Sequence, residues 1–190
     1  MIKKILATAV IFVGALPTAI GGSIYFSPGL NYEHIHSGDA TYQGLTGMLN
    51  IGYGSWVYDC FYLAAEVFGN TKPYTLNKDS NDNEINNFLK TGYAFGYSIV
   101  PAMVIENSVV AYLRLGYVQT NFPNIDTKPH AYQVGIGLEY PFQDCWSLRT
   151  EYVYTPYRSV DGIGTIYSNQ VTLSLVYRVE PLLGGFSTDL

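Results

Sequence analysis

Seven charged residues fall within stretches that otherwise alternate apolar and small side chains: Glu66, Lys90, Arg114, Glu139, Arg149, Glu151 and Arg178. All seven occupy the face that carries Gly, Ala and Ser rather than the aromatic face. Charges confined to a narrow interior of low dielectric must pair or stay wet. Their chemistry is therefore either a paired polar plug or a gated path for small ions, and three acids against four bases favours the plug.

Other constellations carry less. Acyl-transfer chemistry needs a serine activated by a neighbouring histidine. The histidines are His34, His36 and His130, all in segments read as loops, and Ser168 in Tyr167-Ser168-Asn169 stands without one. His34-Ile35-His36 offers a metal two imidazoles but no evident third ligand, so no metal site is expected. Asp79-Ser80-Asn81-Asp82-Asn83 begins like a calcium loop, but Glu84 stands where Gly is required and Lys90 holds the twelfth position. No cofactor is implied.

The elements that must position these residues read as strands. Residues 170–179 place Val171, Leu173, Leu175, Tyr177 and Val179 on one face, with Gln170, Thr172, Ser174, Val176 and Arg178 on the other. Residues 131–140 and 89–99 repeat the pattern. Residues 61–68, 111–118, 146–155, 42–53 and 24–33 supply five more segments, the last weakened by Pro28, which cannot donate to a ladder. Hydrophobic residues make up 48% of the chain and charged residues only 13%, too little charge to cover a water-soluble surface. No apolar run reaches the roughly 20 residues of a membrane-spanning helix. A closed barrel is the remaining way to satisfy a backbone in lipid. The expected fold is all-β: an eight-stranded antiparallel up-and-down transmembrane β-barrel.

Connections alternate in length. Segments 54–59, 101–107 and 141–144 read as short turns, and 34–41, 70–87, 119–130 and 158–166 as mostly longer polar loops. That asymmetry puts the short turns in the periplasm and the long loops outside. The start of the chain is an address. Lys3 and Lys4 precede an apolar run over 5–16, Pro17 breaks it, and Ala19 and Gly21 suit cleavage before Gly22. The expected organisation is a cleaved signal peptide over 1–21, a barrel over 22–179 and a tail over 180–190. The net charge of −5, near −7 after cleavage, excludes a basic nucleic-acid surface.

Asp59-Cys60-Phe61-Tyr62-Leu63 and Asp144-Cys145-Trp146-Ser147-Leu148 echo one another at the starts of the third and seventh strands. Cys60 and Cys145 are the candidate disulfide. An oxidising compartment and the lack of a third thiol favour the bond. Geometry opposes it: a barrel roughly 16 Å across sets these strands on opposite sides, whereas a disulfide needs Cα atoms within about 7 Å.

The stretch 144–152 and the final strand 171–179 resemble the OmpA-like family of small outer-membrane barrels. The sequence departs from that pattern where the last strand reaches Val179 and residues 180–190 follow, instead of closing on an aromatic residue. The resemblance implies a non-enzymatic scaffold of the cell outer membrane, structural or adhesin-like, with specificity in its external loops. Its partners would be outer-membrane lipid and lipopolysaccharide, the barrel assembly machinery and a host or surface ligand, with no nucleic acid. A narrow solute channel is the alternative, and a lipid-modifying enzyme is the weakest reading.

Overall fold

The computed structural model describes residues 22–37, 40–58, 60–71, 74–75, 92–105, 109–122, 128–160 and 164–179. Their strands are β1 (Ser23–Ser37), β2 (Ala40–Tyr58), β3 (Phe61–Asn70), β4 (Tyr74–Thr75), β5 (Ala94–Val104), β6 (Val110–Thr120), β7 (His130–Gln143), β8 (Trp146–Val160) and β9 (Gly164–Arg178). Pairing is antiparallel throughout, and β9 returns to β1, so the sheet closes. The two-residue β4 pairs with Gly44 and Leu45 of β2, past Met48, the partner of Asn70, and with the register shifted by one residue. It continues β3 past an irregularity, and the barrel therefore has eight staves. Closure removes the sheet edges that would otherwise recruit other chains.

Alternation decides which side faces what. In β1, Tyr25, Ser27, Asn31, Glu33 and Ile35 point inward and are buried, while Ile24, Phe26 and Leu30 are exposed. The exposed set around the barrel is dominated by Leu, Ile, Val, Tyr and Phe, and the buried set is rich in Ser, Thr, Asn, Glu and Arg. A water-soluble sandwich would show the opposite distribution; an aromatic and aliphatic exterior over a polar lumen is the membrane-barrel arrangement.

Element limits differ from the sequence reading, and the differences share a cause. Strands of 15 to 19 residues outrun the roughly 10 that hydrocarbon requires. Segment 34–41, expected to be a loop, is mostly strand: β1 and β2 stay paired to Ser37↔Ala40. Segment 158–166 likewise continues β8 and β9, to Val160↔Gly164. The chain keeps its ladder beyond the lipid because backbone pairing is still favourable there. Segment 54–59 is strand to Tyr58, and Pro101 lies inside β5 rather than in a turn. The strand expected over 89–99 begins at Ala94, and residues 89–91 lie outside the described residues. Pro28 stays within β1, where the partners of Ser27 and Pro28 on β9 drop out of the ladder.

Inward glycines make room for lumen rings. Tyr25 lies opposite Gly52 and Tyr112 opposite Gly137. A Cβ on Gly52 would sit 2.2 Å from Tyr25 Cζ, and one on Gly137 would sit 2.3 Å from Tyr112 Cζ. Gly52→Val should therefore destabilise the barrel by about 1–3 kcal/mol through overpacking. Urea unfolding in lipid vesicles tests this, and an unchanged midpoint would mean that the Tyr25 ring is free to leave its position.

Candidate functional site

The lumen is layered along the strands. Ile35, Tyr42, Phe68, Val118, Phe122, Tyr157 and Ile166 form an apolar layer toward the end with the long connections. Tyr25, Tyr62, Ala64, Val100, Ala102, Val110, Tyr112 and Val176 form another toward the end with short turns. Charged groups interleave with this second cluster: Arg178 pairs across the ladder with Tyr25, and Glu139 with Val110.

Each strand delivers its charge by parity. Glu66 alternates with buried Tyr62, Ala64 and Phe68 on β3, and Arg114 with Tyr112 and Val118 on β6. Arg149 and Glu151 lie two apart on β8, both inward, and Glu139 on β7 is the direct cross-strand partner of Arg149. The six form one alternating chain: Glu151–Arg114–Glu66–Arg149–Glu139–Arg178. Arg114 grips Glu151 with a fork, Nε donating to Oε1 at 2.7 Å and Nη2 to Oε2 at 3.0 Å. Its Nη1 donates to Ser98 Oγ at 2.7 Å. Arg114 Nη2 also lies 2.6 Å from Glu66 Oε2, an ion pair without hydrogen-bond geometry. Arg149 Nη1 donates across the lumen to Glu66 Oε1 at 2.6 Å, and its Nη2 to Glu139 Oε2 at 2.8 Å. Arg178 Nη2 donates to Glu139 Oε1 at 2.8 Å.

All six side chains are at most 4% exposed, and three carboxylates face three guanidinium groups. Buried charge survives only when it is compensated and hydrogen-bonded, and this chain is formally neutral. Tyrosines complete it. Tyr25 donates to Glu66 Oε1 and Tyr112 to Glu151 Oε2, both at 2.6 Å, and Tyr62 Oη accepts from Arg178 Nη1 at 3.0 Å. The rings also face the cations: Arg178 lies 4.5 Å from the Tyr25 centroid and Arg149 4.9 Å from that of Tyr112. A void among Tyr62, Tyr112, Arg149 and Arg178 measures about 10 Å³, room for at most one water.

Six of the seven charges singled out from the sequence thus meet in one network; Lys90 lies outside the described residues. Parity alone did not single out Tyr25, Tyr62, Tyr112 and Ser98. The available signal was a bulky Tyr on the small-residue face with Gly at the facing position.

The cysteines are free thiols, Cys60 exposed and Cys145 half-buried, in place of the expected candidate disulfide. Cys60 lies between β2 and β3 and Cys145 between β7 and β8, separated around the ring by β5 and β6 one way and by β9 and β1 the other. Neither turn folds inward. Val104 N donates to the Cys60 carbonyl at 3.2 Å and Arg178 N to the Cys145 carbonyl at 2.9 Å, so each turn is held on its own wall. Maleimide labelling of folded, unreduced protein should therefore find two thiols per chain, with Cys60 the faster. A chain with no reactive thiol would place the bond back in the structure.

The remaining candidates separate by face. Ser168 is fully buried, and its hydroxyl donates to Glu33 Oε1 at 2.9 Å. His34 and His36 belong to β1 rather than to a loop and alternate with inward Glu33, Ile35 and Ser37, so they stand on the opposite face of the sheet from Ser168. His130 opens β7 on the outside. Nothing in this arrangement activates Ser168.

Comparison with known proteins follows this geometry. The family profile described as outer membrane protein beta-barrel domain matches residues 5–178. Neisserial surface protein A superposes with TM-score 0.55 at 15% identity, covering 83% of this chain and 98% of that one. Ail, the attachment invasion locus protein of Yersinia pestis, solved with the heparin analogue sucrose octasulfate, gives TM-score 0.55 at 14% identity, covering 84% and 99%. At such identities the likeness is one of fold. No curated protein sequence matches.

Proposed function

This chain belongs to the outer membrane protein β-barrel family, and from that premise we propose that it is a non-enzymatic, non-conducting scaffold of the cell outer membrane that acts through its external hairpins and loops. The observation that carries the reading is the filled lumen, in which a neutral chain of six charges interlocks with the tyrosines and small apolar side chains of one buried cluster, with a second apolar cluster nearer the long connections. A barrel blocked along its axis offers a partner only its outer surface and its ends. On this reading a leader over 1–21 is removed on export, the barrel assembly machinery inserts the chain, and lipopolysaccharide surrounds it. On the same reading, residues 180–190 follow the barrel as a C-terminal tail.

Ail was solved with a polysulfated ligand. In sequence, the segments read as external loops hold Asp39, Asp79, Asp82, Glu84, Asp126 and Asp161 against Lys72, Lys78, Lys128 and Arg158. Such mixed charge suits a neutral or mixed polar partner surface better than a polyanion.

The test displays the full chain on cells, beside variants in which residues 76–91 or 123–127 are replaced by a short Gly-Ser turn. Adhesion is read against immobilised matrix proteins, glycans and partner cells. Binding lost in a variant that retains heat-modifiable gel migration supports the scaffold reading. Binding that survives both replacements, or is absent from the full chain, contradicts it.

A further inference from the structure

We propose that His34 and His36 form an open binding site for a borderline divalent transition-metal ion, Cu²⁺ foremost, at the outer rim of the barrel. Residues two apart on a strand share a face, and here Ile35 between them points inward and is fully buried. The two rings lie 5.7 Å apart between centroids, tilted by 49°. Imidazole nitrogen binds such ions at about 2.0–2.1 Å, which places two ring centroids about 4.5 Å apart at neighbouring positions of a tetragonal Cu²⁺ and about 5.2 Å apart around a tetrahedral ion. The observed separation exceeds these by about 0.5–1.2 Å, a gap that rotation of the two side chains on their shared face closes.

The surroundings hold the pair in place without competing for it. Both side chains are half-buried. His34 lies between Gln43 and Asn169, and His36 between Thr41 and Tyr167, all neutral. The His36 ring rests 5.6 Å from that of Tyr167. The exposed residues that precede the pair on β1 are Ile24, Phe26, Pro28, Leu30 and Tyr32. The histidines therefore stand just past the apolar band, where a cation need not enter hydrocarbon. Imidazole without carboxylate selects late transition ions over Mg²⁺ or Ca²⁺, and Cu²⁺ leads that order. Among the described residues no group of three or more His, Cys, Asp or Glu converges. The ion would keep open positions for water or an external oxygen ligand, which suits capture rather than a structural role.

The test uses untagged, detergent-folded chain with both thiols alkylated, titrated with Cu²⁺ in a non-coordinating buffer. One equivalent should bind, with an electron paramagnetic resonance signature of two imidazole nitrogens. His34→Gln and His36→Gln should each weaken binding roughly tenfold or more, while His130→Gln, on the distant β7, leaves it unchanged. On the unmodified sequence, bound Cu²⁺ should protect His34 and His36, but not His130, from carbethoxylation read by mass spectrometry. That readout serves if a variant misfolds. Binding that persists in both variants, a signature lacking imidazole nitrogen, or equal modification of all three histidines with and without Cu²⁺ would overturn the site.

Discussion

Replacing Arg149 with Met should destabilise the folded barrel by about 3–5 kcal/mol, the cost of stranding buried partners rather than the net worth of one ion pair. Arg149 is the centre of the chain, donating to Glu66 at 2.6 Å and to Glu139 at 2.8 Å. Without it, three carboxylates share two cations beside a void with room for at most one water. Removing a matched acid restores neutrality. Arg149→Met combined with Glu139→Gln leaves Arg114 with Glu66 and Glu151, and Arg178 with the hydroxyl of Tyr62. The double variant should therefore fall short of the sum of the singles by about 0.5–3 kcal/mol. Urea unfolding in vesicles, followed by Trp fluorescence, supplies all four corners of the cycle. Strict additivity would mean that the six charges titrate and relax independently and that no network exists.

Leu173→Arg probes the opposite face and carries the second large effect. Leu173 is 55% exposed, near the middle of the outward apolar run of β9, with Leu30 and Thr150 as cross-strand partners. A guanidinium at that depth should cost about 2–4 kcal/mol, falling toward 0–1 kcal/mol near either interface. Ile136→Arg on β7, at a site 59% exposed, should behave alike. By contrast Thr172, one residue from Leu173, is buried and donates to Asn31 Oδ1 at 3.2 Å, so substitutions there act through packing and pairing. A neutral Leu173→Arg in unfolding titrations would shift the assigned faces by one residue.

Parity was the legible part of this fold. Because strand side chains alternate, Val171, Leu173 and Leu175 could be set outside, and Glu66, Arg114 and Glu151 inside, from sequence alone. Pairing partners were not legible. That Arg149 reaches Glu66 across the lumen depends on barrel radius and stagger, which no local pattern encodes. Strand ends were misread where polar residues continue a ladder past the lipid. His34, His36 and Thr165 look like loop residues by composition, yet the strands that hold them remain paired. Parity set Tyr62 and Tyr112 on the face of Glu66 and Arg114, but not their roles: a hydroxyl aimed at a carboxylate, with Gly opposite the ring, is what ties Tyr25 and Tyr112 into the network.

The filled lumen is tested most directly by single-channel recording of the purified, folded chain in a planar bilayer. With three carboxylates and three guanidinium groups paired and locked among buried rings, insertion should raise no current above that of the lipid alone across a range of voltage. Reproducible unitary steps from wild-type protein, lost when Arg149 or Glu66 is substituted, would contradict a permanently closed barrel and identify the charge chain as a gate.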